Sequence, residues 1–410
     1  MSTLPPSPLP FSPFPLSPLT EADFDPAWQG LEESFLGSGH PDDRDLERGV
    51  IDLPRFLVAH DEGAVVASAG AFAFDLTLPG AVAPVAGVTW VGVRATHRRR
   101  GLLTALMTRL LHERYESGEA IAVLWASEAA IYHRYGFGPA AWQLSAEVPR
   151  GAPFVRPVER GGLRMVAPDR DLLAPVYERV AAARPGWFSR DDAFWAYRLH
   201  DPEHRRDGGG PLRCVVTEQS DGYALYSTTG DFGPVGPAGQ VRVRELAAAT
   251  PEAAARLWRF LLDLDLTVAV HARLAVDDPL LHLLAEPRRA GARLADALWA
   301  RPLEVGGALS ARRYAAPVDV VLEVRDATCP WNARRWRLSG DREGAQCTPT
   351  SDPADLALDV SDLGAALLGG SSLQARAAGG LVQEHRPGAL LAASTAFGPL
   401  GPAPSCPMVF

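Results

Sequence analysis

The chain contains no lysine: all 40 of its basic side chains are arginines, against 49 aspartates and glutamates. The resulting net charge of −9 disfavours a protein that binds nucleic acid through its whole surface, and it slightly favours cationic ligands. The missing lysine and the single asparagine, Asn332, are typical of a GC-rich coding sequence. A second interpretation stays open, since an enzyme that handles an activated acyl group gains by having no amine of its own to modify.

Cysteine is scarce as well, and the four cysteines lie far apart without a CxxC pair: Cys214, Cys329, Cys347 and Cys406. This argues against a disulfide framework and a zinc site, so we expect no metal, and it fits a reducing cytoplasm. No run of about eighteen apolar residues is present, so we expect no transmembrane span. No basic residue precedes an apolar core at the N-terminus, so we expect no secretory signal.

A chain of 410 residues with 47% hydrophobic residues and a mean hydropathy of −0.03 predicts a globular protein of two or three domains. Residues 1–19 carry seven prolines and no charge, which predicts an extended, poorly ordered arm. We expect folded domains over residues 20–155, 156–300 and 301–410.

The first domain alternates helix and strand signals. Thr20 is a candidate N-cap, and two β-rich runs flank Asp61-Glu62-Gly63, which is a hairpin signal. The strand PVAGVTWVGV leads into an arginine-rich loop, which is followed by leucines at helical spacing and by the apolar strand AIAVLWA. This order predicts an α/β layer with a mixed sheet flanked by helices.

The second domain repeats that layout in a weaker form. A hairpin with a turn at Asp221-Gly222 precedes a strand, a helix capped by Thr250, and another strand. No arginine-rich loop joins its strand to its helix, so we interpret it as a repeat that keeps the scaffold and has lost an anion site. From residue 301 onward, VDVVLEVRD and ADLALDV alternate as half-buried strands do, and alanine- and leucine-rich helical pieces follow. This predicts an α+β domain.

The stretch VGVRATHRRRGLL, residues 91–103, carries the clearest chemistry. A loop between a strand and a helix leaves backbone N–H groups free at the helix N-terminus, and the helix dipole favours an anion there. Arginines beside such a terminus are unfavourable unless an anion joins them, and their guanidinium groups suit phosphate. We therefore predict a pyrophosphate site and not a solvated basic patch.

These motifs resemble the coenzyme A site of the GNAT N-acetyltransferases. More closely, VGVRATHRRRGLLTALM and ASEAAIYHRYGFGPA resemble the enhanced intracellular survival (Eis) family of actinobacteria, and RPGWFSRDDAFWAYRL, DGYALY, LEVRD, CTPT and LGG extend the resemblance over residues 20–410. The resemblance implies tandem GNAT-like domains, the second degenerate, followed by a domain of sterol-carrier-protein fold, assembled as a homohexamer.

The resemblance also implies the roles of particular residues. Tyr132 would donate a proton to the departing coenzyme A thiolate, with Tyr135 as its competitor, and the C-terminal carboxylate of Phe410 would act as general base. A phenol with a pKa near 10 stays protonated at pH 7 and so suits the acid role. The residues implied for coenzyme A are Val91, Gly92, Val93, Arg98, Arg99, Arg100, Gly101, Leu102, Leu103, Thr104, Ser127 and Glu128.

The leading hypothesis is a cytoplasmic N-acetyltransferase that moves an acetyl group from acetyl-CoA to a primary amine within a ternary complex. The family's acceptors imply aminoglycosides or lysine side chains, and the acidic chain suits a polycation. Glu32, Glu33, Asp42 and Asp43 are candidates for an acceptor pocket or, equally, for a solvated face. Two alternatives stay open: a lipid or hydrophobic-ligand carrier acting through the C-terminal domain, and a non-catalytic acyl-CoA sensor.

Overall fold

The computed structural model describes residues 14–37, 39–234 and 236–410. The chain divides into two compact units. Of the described residues, one unit contains those from 14 to 141, 298–400 and 408–410, and the other contains those within 142–297 and 401–407. None of the helices described combines the length and the hydropathy that a membrane-spanning helix needs.

The first unit opens with the elements that surround the arginine-rich loop. In chain order they are β1 (Leu16–Pro18), α1 (Glu21–Ser34), α2 (Pro41–Val50), β2 (Phe56–Asp61), β3 (Ala64–Leu78), β4 (Ala81–Val93), α3 (Leu102–Glu116), β5 (Ile121–Trp125), α4 (Ala129–His133) and β6 (Gly138–Pro139). Helix α3 forms where its leucines recur at helical spacing; Leu106, Met107 and Leu110 are buried, and Gly118, at φ +87°, follows the helix.

The second unit consists mainly of the following elements: β7 (Trp142–Pro149), β8 (Leu163–Val166), α5 (Arg170–Ala183), α6 (Asp192–Leu199), β9 (Arg213–Thr217), β10 (Gly222–Thr228), β11 (Phe232–Gly233), β12 (Gly236–Pro237), β13 (Gly239–Ala248), α7 (Pro251–Leu262), β14 (Thr267–Ala275), α8 (Leu280–Leu283) and β15 (Arg293–Asp296). Thr250 caps α7 through Ala253 N, as its sequence predicts. The tail belongs here too: Asp277 accepts from the N–H of Ala403, and Arg184 donates to its carbonyl.

The C-terminal elements return to the first unit. They are β16 (Leu298–Pro302), α9 (Val305–Ser310), β17 (Val318–Arg325), β18 (Arg335–Gly340), β19 (Ala345–Pro349), β20 (Leu356–Asp359), α10 (Val360–Ala366), α11 (Leu373–Ala378), β21 (Gln383–Glu384) and α12 (Ala389–Ala396). Short 3₁₀ turns complete the chain at Leu53–Arg55, Ala95–His97, Glu203–Arg205, Pro287–Ala290 and Pro330–Asn332.

Two sheets share one topology. The first runs β1-β2-β3-β4-β5-β16-β6, and the second runs β8-β9-β10-β13-β14-β7-β15. In each sheet the fourth and fifth strands are parallel and are joined through one helix, α3 or α7, while the other neighbours are antiparallel. A third sheet, β19-β18-β17-β20-β21, forms the C-terminal α+β domain. The predicted fold class, a tandem of mixed sheets followed by an α+β domain, is confirmed.

The boundaries predicted at residues 155/156 and 300/301 differ from the divisions of the structure. Strand β7 belongs to the second sheet, where it pairs with β14, and β16 belongs to the first, where it pairs with β5. Each sheet therefore takes its sixth strand from beyond the predicted boundary. The sequence of a single strand carries no signal for the sheet that it joins, because that choice depends on long-range packing.

The predicted arm is also shorter than expected. Strand β1 pairs with β2, with Leu16 opposite Ala59, and Phe14 and Leu19 are buried. Prolines at the edge of a sheet are tolerated because an edge strand does not need every N–H. The rest of the arm, residues 1–13, lies outside the described residues.

A buried charge network stabilises the second unit. Glu245 is completely buried; it accepts two hydrogen bonds from Arg190, at 3.0 and 2.7 Å, and one from the Tyr223 hydroxyl at 2.6 Å. Arg198 Nε adds a contact at 3.2 Å. Burial by itself would raise the pKa of Glu245, but the two guanidinium groups outweigh it and hold the pKa at about 2.

Replacing Glu245 with glutamine should destabilise the fold by about 3–5 kcal/mol at pH 7, because it leaves the buried guanidinium group of Arg190 and the partly exposed one of Arg198 without this counter-charge. The folded pKa lies below the unfolded value of about 4.5, so this stabilisation is fully present above pH 4.5 and is lost as the pH falls towards 2. Urea unfolding of both proteins at pH 7 and pH 3 measures the difference. Glu159→Gln, at an exposed pair with Arg256, is the control and should change stability little; equal losses would contradict the prediction.

Candidate active site

The predicted site lies where two parallel strands part. Strands β4 and β5 pair at Ala86 with Ala122 and at Gly87 with Val123, and both continue beyond these pairs. Past the paired residues, a cavity of about 600 Å³ opens between the end of β4, the N-terminus of α3 and helix α4.

Most of the residues implied for coenzyme A line this one cavity: Val91, Gly92, Val93, Arg98, Arg99, Gly101, Leu102, Leu103, Thr104, Ser127 and Glu128, with Tyr132 and Tyr135. Arg100 and Phe410 are not among its lining residues. Sequence reasoning missed other lining residues, namely Ser34, Phe35, Leu36, His97, Ile131 and Arg134. Ser34 is the last residue of α1, Phe35 and Leu36 follow it, and no motif in the sequence linked that helix end to the loop.

A β-bulge aims the end of β4 into the cavity. Ser68 pairs with Gly92 and Gly70 pairs with Thr89, so two residues of β4 face one residue of β3. Trp90 takes the extra position with φ +55°, a conformation that bulky residues rarely adopt. The Ser68 hydroxyl donates to the Trp90 carbonyl at 2.9 Å, and the buried indole donates to Glu47 at 3.1 Å. These two bonds hold the bulge in place.

The loop before α3 has the backbone geometry of an anion site. Arg99 and Gly101 are left-handed, at φ +62° and +84°, and Gly101 is the N-cap. The first bond of the helix runs from Ala105 N to Gly101 O. The amides of Leu102, Leu103 and Thr104 therefore have no partner within the helix, and these three residues line the cavity at the positive end of the helix dipole.

The three arginines have different surroundings. Arg98 and Arg99 line the cavity, and Arg98 Nε donates to the Val93 carbonyl at 3.2 Å. Arg100 instead lies over the ring of the buried Phe14, with 4.5 Å from its guanidinium carbon to the ring centre. Arg100 therefore does not line the cavity, because the aromatic ring holds its side chain outside it, and its part in binding coenzyme A stays a prediction.

Two tyrosine hydroxyls belong to the cavity wall. Burial raises the pKa of Tyr132; a hydrogen bond with Ser127 opposes this effect, and the nearby Glu128 charge adds to it. The phenol therefore stays neutral at physiological pH and can donate a proton. The Tyr135 hydroxyl shares a 3.2 Å hydrogen bond with Thr104 Oγ1 at the start of α3. The Tyr132 hydroxyl thus keeps its proton at neutral pH, and which of the two tyrosines acts as the acid stays a prediction.

The turn after these tyrosines is held by β16 of the first sheet and by the C-terminal domain. Arg301 on β16 is fully buried; it donates to the Tyr135 carbonyl and, at 2.5 Å, to Asp326. Gly136 has φ +78°, and a Cβ there would lie 2.6 Å from the Arg301 guanidinium. A Cβ on Gly138 would lie 2.0 Å from the Ser361 carbonyl oxygen of α10. The sequence YGFG needs its glycines for these close approaches.

Phe410 packs at the point where the strands divide. Its ring lies 5.1 Å from that of Phe74 and 6.4 Å from that of Phe72, both edge-on. A Cβ on Gly87, in the last β4–β5 pair, would lie 3.1 Å from the Phe410 ring. Trp125 Nε1 donates to the Met408 carbonyl at 2.8 Å.

The four acidic residues weighed for an acceptor pocket do not line this cavity: Glu32, Glu33, Asp42 and Asp43. Glu32 accepts from the N–H of Gly39, and Asp42 is exposed.

In the second unit, Thr250 donates to Asp221 at 2.7 Å while it caps α7. The N-terminus of α7 is thus capped by the Thr250 side chain, which the Asp221 carboxylate supports, whereas the N-terminus of α3 has no side-chain cap.

The chain matches three described families. Residues 16–140 and residues 186–301 each match an acetyltransferase (GNAT) domain, and residues 305–407 match a sterol carrier protein domain.

Relatives extend over most of the chain. An uncharacterized N-acetyltransferase of Streptomyces avermitilis is 46% identical over 87% of this chain and 90% of its own length. N-acetyltransferase Eis of Mycobacterium tuberculosis is 37% identical over 72% of this chain and 73% of its own. The crystal structure of Eis1 from Mycobacterium abscessus superposes with a TM-score of 0.84 at 32% identity, covering 97% of this chain and all of that one.

Gly138→Ala should destabilise the protein by about 1–3 kcal/mol, since the new methyl group meets a backbone carbonyl that cannot rotate away. Gly49→Ala is the matched control: it lies in α2 with no atom within 4 Å of its Cβ position, so it should leave stability equal or slightly higher. Thermal and urea unfolding of the two variants compare these effects. A Gly138→Ala variant as stable as the wild type would refute the packing of this turn.

Proposed function

The chain belongs to the Eis family of GNAT N-acetyltransferases and is an acetyl-CoA-dependent acyltransferase, and we propose that it acetylates primary amines of polycationic acceptors by direct transfer in a ternary complex. The observation that carries the proposal is that an open helix N-terminus, two arginines, a bulged strand end and a neutral phenol line one cavity. A carrier or a sensor would not require the phenol there.

The residues divide the chemistry among them. The amides of Leu102, Leu103 and Thr104, with Arg98 and Arg99, are suited to the pyrophosphate. The end of β4, at Val91 and Val93, offers backbone groups to the pantetheine arm and to the thioester oxygen as it gains negative charge. The bulge at Trp90 fixes their direction.

Proton transfers complete the reaction. The amine nitrogen attacks the thioester carbon, and the tetrahedral intermediate collapses with cleavage of the carbon–sulfur bond. Tyr132 gives its proton to the departing thiolate. The proton lost by the amine goes to a base, and the family resemblance assigns this role to the C-terminal carboxylate of Phe410, whose ring packs where β4 and β5 divide.

The acceptor class rests on charge. With a net charge of −9, the protein attracts cations at long range, which suits aminoglycosides and lysine-rich peptides. The homohexamer and the cytoplasmic location stay predictions of the family resemblance and of the sequence.

Tyr132→Phe should lower kcat at least about 100-fold while leaving the KM for acetyl-CoA unchanged, because it removes only the proton that the leaving thiolate needs. The measurement is release of the coenzyme A thiol with a panel of an aminoglycoside, a lysine-containing peptide and a neutral monoamine. Tyr135→Phe is the control and should keep most of the activity. Equal losses of activity in Tyr132→Phe and Tyr135→Phe would contradict the assignment of Tyr132 as the proton donor. If no amine led to release of coenzyme A, the proposed function would be refuted.

Arg99→Ala should raise the KM for acetyl-CoA about tenfold or more, the size expected for losing a charge-assisted hydrogen bond to phosphate. Arg100→Ala should raise it no more than about threefold, since the side chain lies on Phe14 outside the cavity. Steady-state kinetics at two salt concentrations distinguish them, because only the Arg99 effect should shrink as salt screens the phosphate. A larger effect at Arg100 would contradict the structural ranking.

A further inference from the structure

Phe14 packs against the loop that precedes α3. Its side chain is 6% exposed. The guanidinium carbon of Arg100 lies 4.5 Å from its ring centre, and the His97 ring meets it edge-on at 5.7 Å. Both partners lie within the loop of residues 95–101, so one aromatic ring supports two points of that loop.

The backbone after Phe14 is fixed as well. The N–H of His60 donates to the Pro15 carbonyl at 3.1 Å, which ties the segment to β2. Arg109 on α3 donates to the Leu16 carbonyl at 2.7 Å. The segment thus connects the sheet with the same helix whose N-terminus faces the cavity.

His97 transmits this contact to the cavity wall. It is one of the lining residues. Its Nε2 bonds to Asp61 at 2.9 Å, and its Nδ1 bonds to Thr96 at 2.8 Å. With Phe14 on its edge, the imidazole is held on three sides.

The loop needs such support because its backbone is strained. Arg99 is left-handed at φ +62°, which is unfavourable for a residue with a side chain. An unsupported loop would populate other conformations, and a ligand would then lose affinity in ordering it.

We infer that Phe14 is a positioning residue for coenzyme A: by packing against Arg100 and His97 it holds the loop in the conformation whose amides face the pyrophosphate before the co-substrate binds. The inference rests on the proposed function of this cavity. Phe14 precedes residues 16–140, the part that matches the GNAT domain, whereas Arg100 and His97 lie within that part.

Phe14→Ala tests the inference in the full-length protein. The dissociation constant and the KM for acetyl-CoA should rise about tenfold, the effect of losing a preorganised loop. The kcat and the KM for the amine should stay unchanged, because Phe14 is not a lining residue of the cavity. Phe14→Tyr keeps the aromatic face and should restore wild-type affinity.

Hydrogen exchange adds a readout that does not depend on activity. Without ligand, the amides of residues 95–101 should exchange faster in Phe14→Ala than in the wild type. Phe154→Ala is the matched control, because Phe154 lies under Arg259 at 4.7 Å in the second compact unit. It should change thermal stability without changing affinity for acetyl-CoA.

The outcomes separate the possibilities. Unchanged affinity in Phe14→Ala overturns the inference, and so does tighter binding, which would mean that the ring withholds Arg100 from the phosphate. A wild type that binds no acetyl-CoA refutes the proposed function itself. If Phe14→Ala does not fold, Phe14→Leu takes its place, since leucine keeps apolar packing but loses the stacking. The dissociation constant for acetyl-CoA should then rise by less than tenfold.

Discussion

The active-site wall depends on one buried cation. Arg301 has no exposed surface, so its guanidinium group must find partners inside the protein to offset its lost hydration. It finds Asp326, which follows β17, and the carbonyl of Tyr135. Asp326 is itself bound by the amides of Thr328 and Cys329. A single ion therefore joins the first sheet, the C-terminal domain and the turn that follows the candidate acid, and none of these can shift without leaving a buried charge unpaired.

This constraint gives the C-terminal domain a part in the site even though it contributes no lining residue to the cavity. The YGFG turn approaches Arg301 and the Ser361 carbonyl so closely that only glycines fit there. The tyrosines that precede the turn are thus held by contacts made far along the chain. A hydroxyl that must donate a proton in a fixed direction gains from such support, because catalytic geometry is lost with small displacements.

The sequence predicted those parts of the fold and the site whose signal lies within one element, and it did not predict those that depend on packing between elements. Periodicity predicted α3, and capping rules predicted Thr250, because both signals lie within one element. The exchange of β7 and β16 between sheets could not be predicted, since their apolar patterns suit either sheet. The left-handed Trp90 carries no sequence signal, as bulky residues rarely occupy that region. The sequence does not rank the three adjacent arginines. Arg100 differs from the other two because it stacks on Phe14, which belongs to a segment expected to be poorly ordered.

The two related sheets share a scaffold and differ at one helix N-terminus. Both place a helix after the fourth strand, yet α7 is capped by Thr250 backed by the Asp221 carboxylate, whereas α3 begins at a glycine with no side-chain cap. A capped terminus has already satisfied an amide and neutralised its dipole, so it has little left for a phosphate. An open terminus keeps that capacity but forgoes the stability of a cap, and the surrounding structure must then hold the loop. Phe14, His97 and Arg109 provide that support in the first unit, whereas the cap at Thr250 holds the start of α7 in the second.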